Sequence, residues 1–292
     1  MYYAWVVVSA LVRRLPLRVS YGIAVIAGTV AFCGWPRGRR ATVRNYRVVC
    51  PGAGPAELRS LARRSFTNYC RYLVDFIRFP SLAPAEIVRE AIGDAKFIAL
   101  NESLERGAGA IIVCMHFGNW DLGAGATAAR GYPLSVVAET FSDARLDRLV
   151  VAARERLGMK VVKMEGVSPS IFRTLKRNGL LALLIDRPSQ ADGVEVEFFG
   201  RIIRVPTGPA RIAIRSGAAV IPVAFPRRHS WKPMVDVLAD FTVVDAGNDE
   251  PTRVRELTQQ IISAHERFIR DYPDQWYMFR EMWPEVHRTA RS

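Results

Sequence analysis

The sequence predicts an α/β fold, a central and largely parallel sheet flanked by helices, preceded by an N-terminal helical segment that associates with a membrane. Three observations carry this reading. The unbroken apolar runs at residues 110–115 (AIIVCM) and 180–185 (LLALLI) have the length and composition of strands buried on both faces. Segments of helical period alternate with such runs along most of the chain, the pattern of a parallel sheet joined by crossover helices. Residues 19–36 contain no charged side chain, yet arginines crowd both ends of that stretch.

The N-terminal stretch comes first. An 18-residue helix rises about 27 Å, just short of a bilayer's hydrocarbon core. Arg13, Arg14 and Arg18 precede it and Arg37, Arg39 and Arg40 follow, with Tyr2, Tyr3, Trp5 and Trp35 near the ends. No small-residue cleavage site lies near its end, which argues against a signal peptide. An in-plane or re-entrant anchor with arginines on anionic headgroups suits the charges best; a full span and a hairpin buried on its own domain stay open. Residues 1–39 are read as this anchoring or interfacial segment and residues 40–292 as one α/β domain.

Residues 55–79 read as an amphipathic helix, with Leu58, Leu61, Phe66, Tyr69 and Leu73 at helical spacing. Two helical pieces follow, at 86–91 and 95–106. The strand at 110–115 leads to a helix from Asn119, and a strand at 134–138 leads to a helix over 143–157. That helix carries the stripe Leu146, Leu149, Val150, Ala153, Leu157, and Gly158 stops it. A strand at 160–164 precedes a helix that Ser168 is expected to cap, with Pro169 in its first turn. Strands at 180–185, 194–199 and 218–224 follow, with a short helix containing Arg211 and Ile214 before the last. A long helix over 253–271 closes the pattern.

Composition narrows the partners. The 292 residues include 41 Lys and Arg against 28 Asp and Glu, a formal charge of +13, and half of them are hydrophobic. Such a surface attracts nucleic acid, an anionic bilayer or a phosphorylated substrate, although an Arg-rich genome gives the same excess. The four cysteines are widely spaced with no CxxC pair, so neither a zinc site nor a disulfide framework is expected, and a reducing compartment is the simplest setting. There is no GxSxG elbow, no HExxH zinc site and no GxxxxGK[ST] loop.

The chemistry is expected where the first buried strand ends, in Cys114-Met115-His116-Phe117-Gly118-Asn119-Trp120-Asp121. His116 falls at the carboxyl edge of the sheet, where ligands of open α/β sheets collect. Gly118 permits a tight turn and Asn119 can cap the next helix. Such a turn can fold Asp121 back onto the imidazole, giving a dyad in which the carboxylate fixes the tautomer and stabilises the imidazolium. The bland alternative is a histidine satisfying a backbone carbonyl and an aspartate serving the helix dipole.

HFGNWD resembles the HxxxxD motif of the glycerolipid acyltransferase superfamily, and its context is similar to the bacterial branch of lipid A and phosphatidylinositol mannoside acyltransferases. Companion segments stand in the expected order: Arg154-Glu155-Arg156-Leu157-Gly158, then Asp192-Gly193-Val194-Glu195-Val196-Glu197-Phe198-Phe199-Gly200, then Thr207-Gly208-Pro209-Ala210 and Ala218-Ala219-Val220-Ile221-Pro222-Val223. Pro273-Asp274-Gln275-Trp276 with Arg280 and Trp283 completes the likeness, which covers roughly residues 40 to 285.

The resemblance implies a glycerol-3-phosphate acyltransferase-like sandwich and direct attack of an acceptor hydroxyl on an acyl thioester. His116 is then the general base and Asp121 its orienting partner, without metal, cofactor or acyl-enzyme; acyl-CoA or acyl carrier protein is the co-substrate. Arg154 is expected to hold a phosphate or headgroup. A catalytic glutamate maps to Glu195, though Glu197 shares its strand face and is carried as a substrate contact. Asn119, Trp120 and Arg187, which follows Asp186 at a strand end, are further substrate-binding candidates. Backbone N–H groups after Gly118 are expected to meet the oxyanion.

The acceptor implied is a membrane glycolipid, a phosphatidylinositol mannoside ahead of a lipid A precursor or another lysophospholipid or glycolipid. The expected partners are an anionic membrane surface, the lipid-linked sugar and the thioester, with no nucleic acid. The expected place is the cytoplasmic face of the plasma (inner) membrane, peripheral or N-terminally anchored. A non-catalytic basic protein binding membrane or nucleic acid explains the charge but not the ordered motifs. His265 and His287 are set aside as structural and tail residues, His229 as a headgroup contact or plain surface-loop residue, and Arg201 and Arg204 as phosphate contacts or solvated side chains.

Overall fold

A computed structural model describes residues 2–92, 94–163, 167–187, 193–229, 231–239 and 250–283. The chain opens with four helices, α1 (Tyr2–Arg14), α2 (Leu17–Gly34), α3 (Pro36–Val49) and α4 (Pro55–Arg78), then α5 (Pro84–Glu90), β1 (Ala91–Ile92) and α6 (Asp94–Leu104). The alternating part comprises β2 (Ala110–Cys114), α7 (Trp120–Ala129), β3 (Leu134–Ala138), α8 (Ala144–Arg156), β4 (Lys160–Lys163), α9 (Val167–Lys176) and β5 (Leu180–Leu184). A hairpin of β6 (Gly193–Phe198) and β7 (Arg201–Pro206) precedes α10 (Gly208–Ser216) and β8 (Ala219–Ala224). The short strands β9 (Val235–Asp236) and β10 (Leu238–Ala239) and the long helix α11 (Glu250–Asp271) complete it.

The main sheet has the order β10-β8-β2-β5-β3-β4, parallel throughout except for the antiparallel edge pair β10–β8. The expected α/β sandwich is therefore what forms. β2 lies inside it, and its alternate residues feed two layers. Ile111 and Val113 pack with Ile171 and Leu175 of α9, Ala210 of α10 and Ile261 of α11. Ala110, Ile112 and Cys114 pack with Ile87 of α5, Leu100 of α6 and Leu122 and Ala126 of α7. Burying each of the larger side chains stabilises the fold by about 1.5–3 kcal/mol, which is why these runs need no polar face.

Two expectations change. The 194–199 segment does not join the main sheet: among the described residues β6 pairs only with β7, in a separate hairpin. Ser168 lies inside α9, which starts at Val167, so it does not stand at the cap position. The uncharged run read at 19–36 is helix α2, and Pro16, with φ −55° and ψ 143°, separates it from α1. Met164, the expected end of β4, and Asp192 and His287 lie outside the described residues.

α2 lies along α4, and its packing is one-sided. Tyr21, Ala24, Gly28 and Phe32 are buried, whereas Val19, Ile23, Ile26 and Val30 are exposed in a single stripe. Gly28 makes the approach possible, since a Cβ there would stand 2.6 Å from the Thr67 Cα. By length and composition α2 is apolar enough to cross a membrane, yet its inner flank is committed to α4.

Candidate active site

His116 and Asp186 occupy matching places on adjacent strands. β2 and β5 are parallel with Cys114 opposite Leu184, so the residue two beyond each strand end emerges at the same carboxyl edge. There His116 Nδ1 lies 2.7 Å from Asp186 Oδ1, and the His116 backbone N–H donates to Asp186 Oδ2 at 2.9 Å. The Trp276 indole N–H also donates to Oδ2, at 3.2 Å. Burial alone would raise the Asp186 pKa; the imidazole beside it and these hydrogen bonds outweigh burial and lower it. An ionised Asp186 accepts from Nδ1–H, which leaves Nε2 as the unprotonated nitrogen of a half-buried ring.

The expected His116–Asp121 dyad is thus corrected: the carboxylate on the imidazole is Asp186. The turn after His116 is held open by other partners. Tyr277 N–H donates to the His116 carbonyl at 2.8 Å, Gly118 N–H to the Gln275 carbonyl at 2.9 Å, and Asn119 N–H to the Phe225 carbonyl at 2.9 Å. Gly118 is obligatory there, with φ +61° and a Cβ position 2.0 Å from the Phe225 carbonyl oxygen. α7 then starts at Trp120 and turns Asp121 away, towards α4 and α8. The same bonds occupy the N–H groups of Gly118 and Asn119, so neither of these two is available to an oxyanion.

Asp121 instead anchors Arg154. Arg154 Nε donates to Asp121 Oδ1 at 2.8 Å and Nη2 to Oδ2 at 3.3 Å, and the Tyr72 hydroxyl donates to Oδ2 at 2.6 Å. Burial on its own would lower the Arg154 pKa, but Asp121 and Tyr72 hold it above the usual guanidinium range. Trp120 stacks on Tyr72 with centroids 4.1 Å apart and meets the His116 ring edge-on at 5.5 Å. The motif's two ionisable residues therefore serve different partners.

The other expected site residues fall in different places. Trp120 lies against the His116 ring. Asn119 is wholly buried, its Oδ1 accepting from Leu122 N–H at 3.3 Å and its Nδ2 donating to Asp75 at 2.8 Å, which removes it from the substrate contacts. Glu195 and Glu197 share a face, as alternation requires, but it is the exposed face of the β6–β7 hairpin; Val196 and Phe198 point inward. Neither glutamate makes a described hydrogen bond to His116, because the strand that carries them left the sheet. Arg187 sits half-buried beside Asp186 and is ion-paired with Glu139. His265 is buried, with Nε2 on the Val113 carbonyl at 3.1 Å, and burial depresses its pKa to about 4. His229, Arg201 and Arg204 are exposed.

Asp186, Tyr72 and Trp276 are the site residues that sequence reasoning missed. Asp186 had a signal: it stands as far beyond its apolar run as His116 stands beyond AIIVC.

This constellation can be set beside known proteins. The model of the family described as bacterial lipid A biosynthesis acyltransferase matches residues 1–285. The chain belongs to that family. A phosphatidylinositol mannoside acyltransferase of Mycolicibacterium smegmatis is 31% identical over 281 residues, covering 94% of this chain and 88% of that protein. A protein of the same description from Mycobacterium tuberculosis is 28% identical over 258 residues, 86% of this chain and 78% of that one. Membership makes the chain an enzyme that transfers acyl groups, with a glycolipid as acceptor, and the His116 cluster is its candidate centre.

Proposed function

We propose that this chain moves a fatty acyl group from an acyl thioester, acyl-CoA or acyl carrier protein, to a hydroxyl of a phosphatidylinositol mannoside, with His116 as general base. The observation that carries the mechanism is the 2.7 Å contact between His116 Nδ1 and Asp186, because it commits the proton to Nδ1 and leaves Nε2 free. Nε2 takes the proton of the acceptor hydroxyl while its oxygen attacks the thioester carbonyl. The tetrahedral oxyanion collapses with loss of the thiolate, which takes the proton back from the imidazolium, and the products are an ester and a free thiol. Asp186 stabilises the imidazolium during this exchange. Arg154, braced by Asp121 and Tyr72, presents a fixed cation beside the site for a phosphate of donor or acceptor.

The mannoside acceptor rests on the names of the two relatives. A lipid A precursor is the second acceptor, on the description of the family. The membrane reading rests on α1 and α2: Val7, Leu11, Val19, Ile23, Ile26 and Val30 are exposed, and the exposed Arg14, Arg18, Arg37 and Arg40 stand at the ends of the apolar stretch. A helix seated on the protein with its outer stripe in the headgroup region, on the cytoplasmic face of the membrane, fits this distribution.

The test is to offer the detergent-purified protein palmitoyl-CoA, or palmitoyl carrier protein, with mannoside-containing polar lipids and to read products by mass spectrometry. A mannoside heavier by one palmitoyl group is expected. Acylation only of a lipid A precursor supplied in parallel would replace the acceptor, and release of free fatty acid alone would make the protein a thioesterase.

A further inference from the structure

α4 presents two side chains to the motif turn, three residues apart and therefore on neighbouring positions of one helix face. Tyr72 holds Asp121, as described; Asp75 holds Asn119. The Asp75 carboxylate is wholly buried and accepts from three side chains. The Tyr21 hydroxyl donates to Oδ1 at 2.5 Å, Asn119 Nδ2 donates to Oδ2 at 2.8 Å, and the Arg227 guanidinium is ion-paired with Oδ2. Arg227 also donates to the Tyr21 hydroxyl at 3.2 Å and exchanges two hydrogen bonds with Gln275, at 2.7 and 3.0 Å. Gln275 in turn accepts from Gly118 N–H through its carbonyl.

Tyr21 belongs to α2, on the flank opposite the exposed stripe of Val19, Ile23, Ile26 and Val30. A continuous set of buried polar contacts thus runs from the apolar helix to the turn between His116 and Asp121. In a low-dielectric interior such a carboxylate keeps its orientation only while all its donors are present. Removing the Tyr21 hydroxyl leaves Oδ1 without its donor, so the carboxylate is free to turn towards Arg227 and loosen Asn119.

We infer that Tyr21 and Asp75 are positioning residues for acyl transfer, tying the turn that carries His116 and Asp121 to the apolar helix α2. This rests on the proposed reaction for its kinetic readout. Tyr21→Phe removes one hydroxyl and keeps the ring, so kcat is expected to fall about tenfold with KM for donor and acceptor unchanged and the protein folded at the assay temperature. Asn119→Asp sets a second carboxylate against Asp75 and is expected to lower kcat about a hundredfold, while Asn119→Asp with Asp75→Asn restores a carboxylate–amide pair and recovers about tenfold of it. Wild-type kcat in Tyr21→Phe, or no recovery in the exchanged pair, overturns the inference.

A spectroscopic arm separates failure of the inference from failure of the reaction. In protein labelled with 5-fluorotryptophan, the Trp120 resonance, assigned through Trp120→Phe, is expected to shift or broaden in Tyr21→Phe while that of Trp283 stays. An unmoved Trp120 resonance overturns the positioning role whatever activity the wild type has; a moved one supports it even if the acyl transfer itself is not found.

Discussion

Consider Asp186→Asn, a change of one atom at the carboxylate that touches the imidazole. Two N–H donors, from the His116 backbone and the Trp276 indole, converge on Oδ2. In the variant the amide oxygen has to take that position, because the NH2 group would oppose both donors there. The NH2 group then falls where Oδ1 was, facing His116 Nδ1, and forces that nitrogen to accept. The ring proton moves to Nε2, the nitrogen that has to be unprotonated to take the acceptor's proton. Shape and packing are kept, so the loss is expected in turnover: kcat lower by about 10³–10⁴-fold, with KM little changed. Steady-state transfer at pH 7.5 measures the rate, and ¹⁵N chemical shifts of the His116 ring report the tautomer. A kcat within threefold of wild type would refute the assignment, as would a ring still protonated on Nδ1.

Four further outcomes follow from the same geometry. Asp121→Asn or Arg154→Met leaves the other partner buried with its charge unmatched and is expected to cost about 3 kcal/mol by denaturant unfolding, with the double variant recovering part of it. Gly118→Ala adds a Cβ against the Phe225 carbonyl at positive φ, so a loss on the order of 3 kcal/mol is expected from thermal melts, together with loss of activity. His265 is neutral when buried and its folded pKa is depressed to about 4 from an unfolded value near 6.5. The unfolded chain therefore binds the extra proton between those values, so stability is fully present above about pH 6.5 and falls as the pH drops towards 4, by about 3 kcal/mol; this slope should flatten in His265→Asn melts. Ile26→Glu, on the exposed stripe of α2, is expected to weaken binding to phosphatidylglycerol vesicles at least about tenfold in sedimentation assays without changing Tm.

The strands and most helices were legible because burial writes itself locally. AIIVC and LLALL are apolar without interruption since both sheet faces are covered, and Asp143 and Asn119 cap the helices they precede. What was not legible depends on register and on contacts distant in the chain. That Asp186 rather than Asp121 meets His116 follows from Cys114 standing opposite Leu184, 70 residues away, and nothing in one sequence fixes that pairing. The five-residue spacing of His116 and Asp121 suggested a contact that the Phe225, Gln275 and Tyr277 hydrogen bonds prevent. Alternation correctly put Glu195 and Glu197 on one face, but not which face, because the hairpin's departure from the sheet is a tertiary event. Tyr21 was hidden for another reason: nothing local to an apolar helix shows that its hydroxyl is spent on a buried carboxylate.

The most direct measurement is a single-turnover transfer of labelled palmitate from palmitoyl-CoA to a purified phosphatidylinositol mannoside, wild type beside His116→Ala. The wild type is expected to form the acylated mannoside and His116→Ala, folded by circular dichroism, to form it at least about 10³-fold more slowly. Equal rates in the two proteins would contradict His116 as the base and move the chemistry elsewhere in the fold.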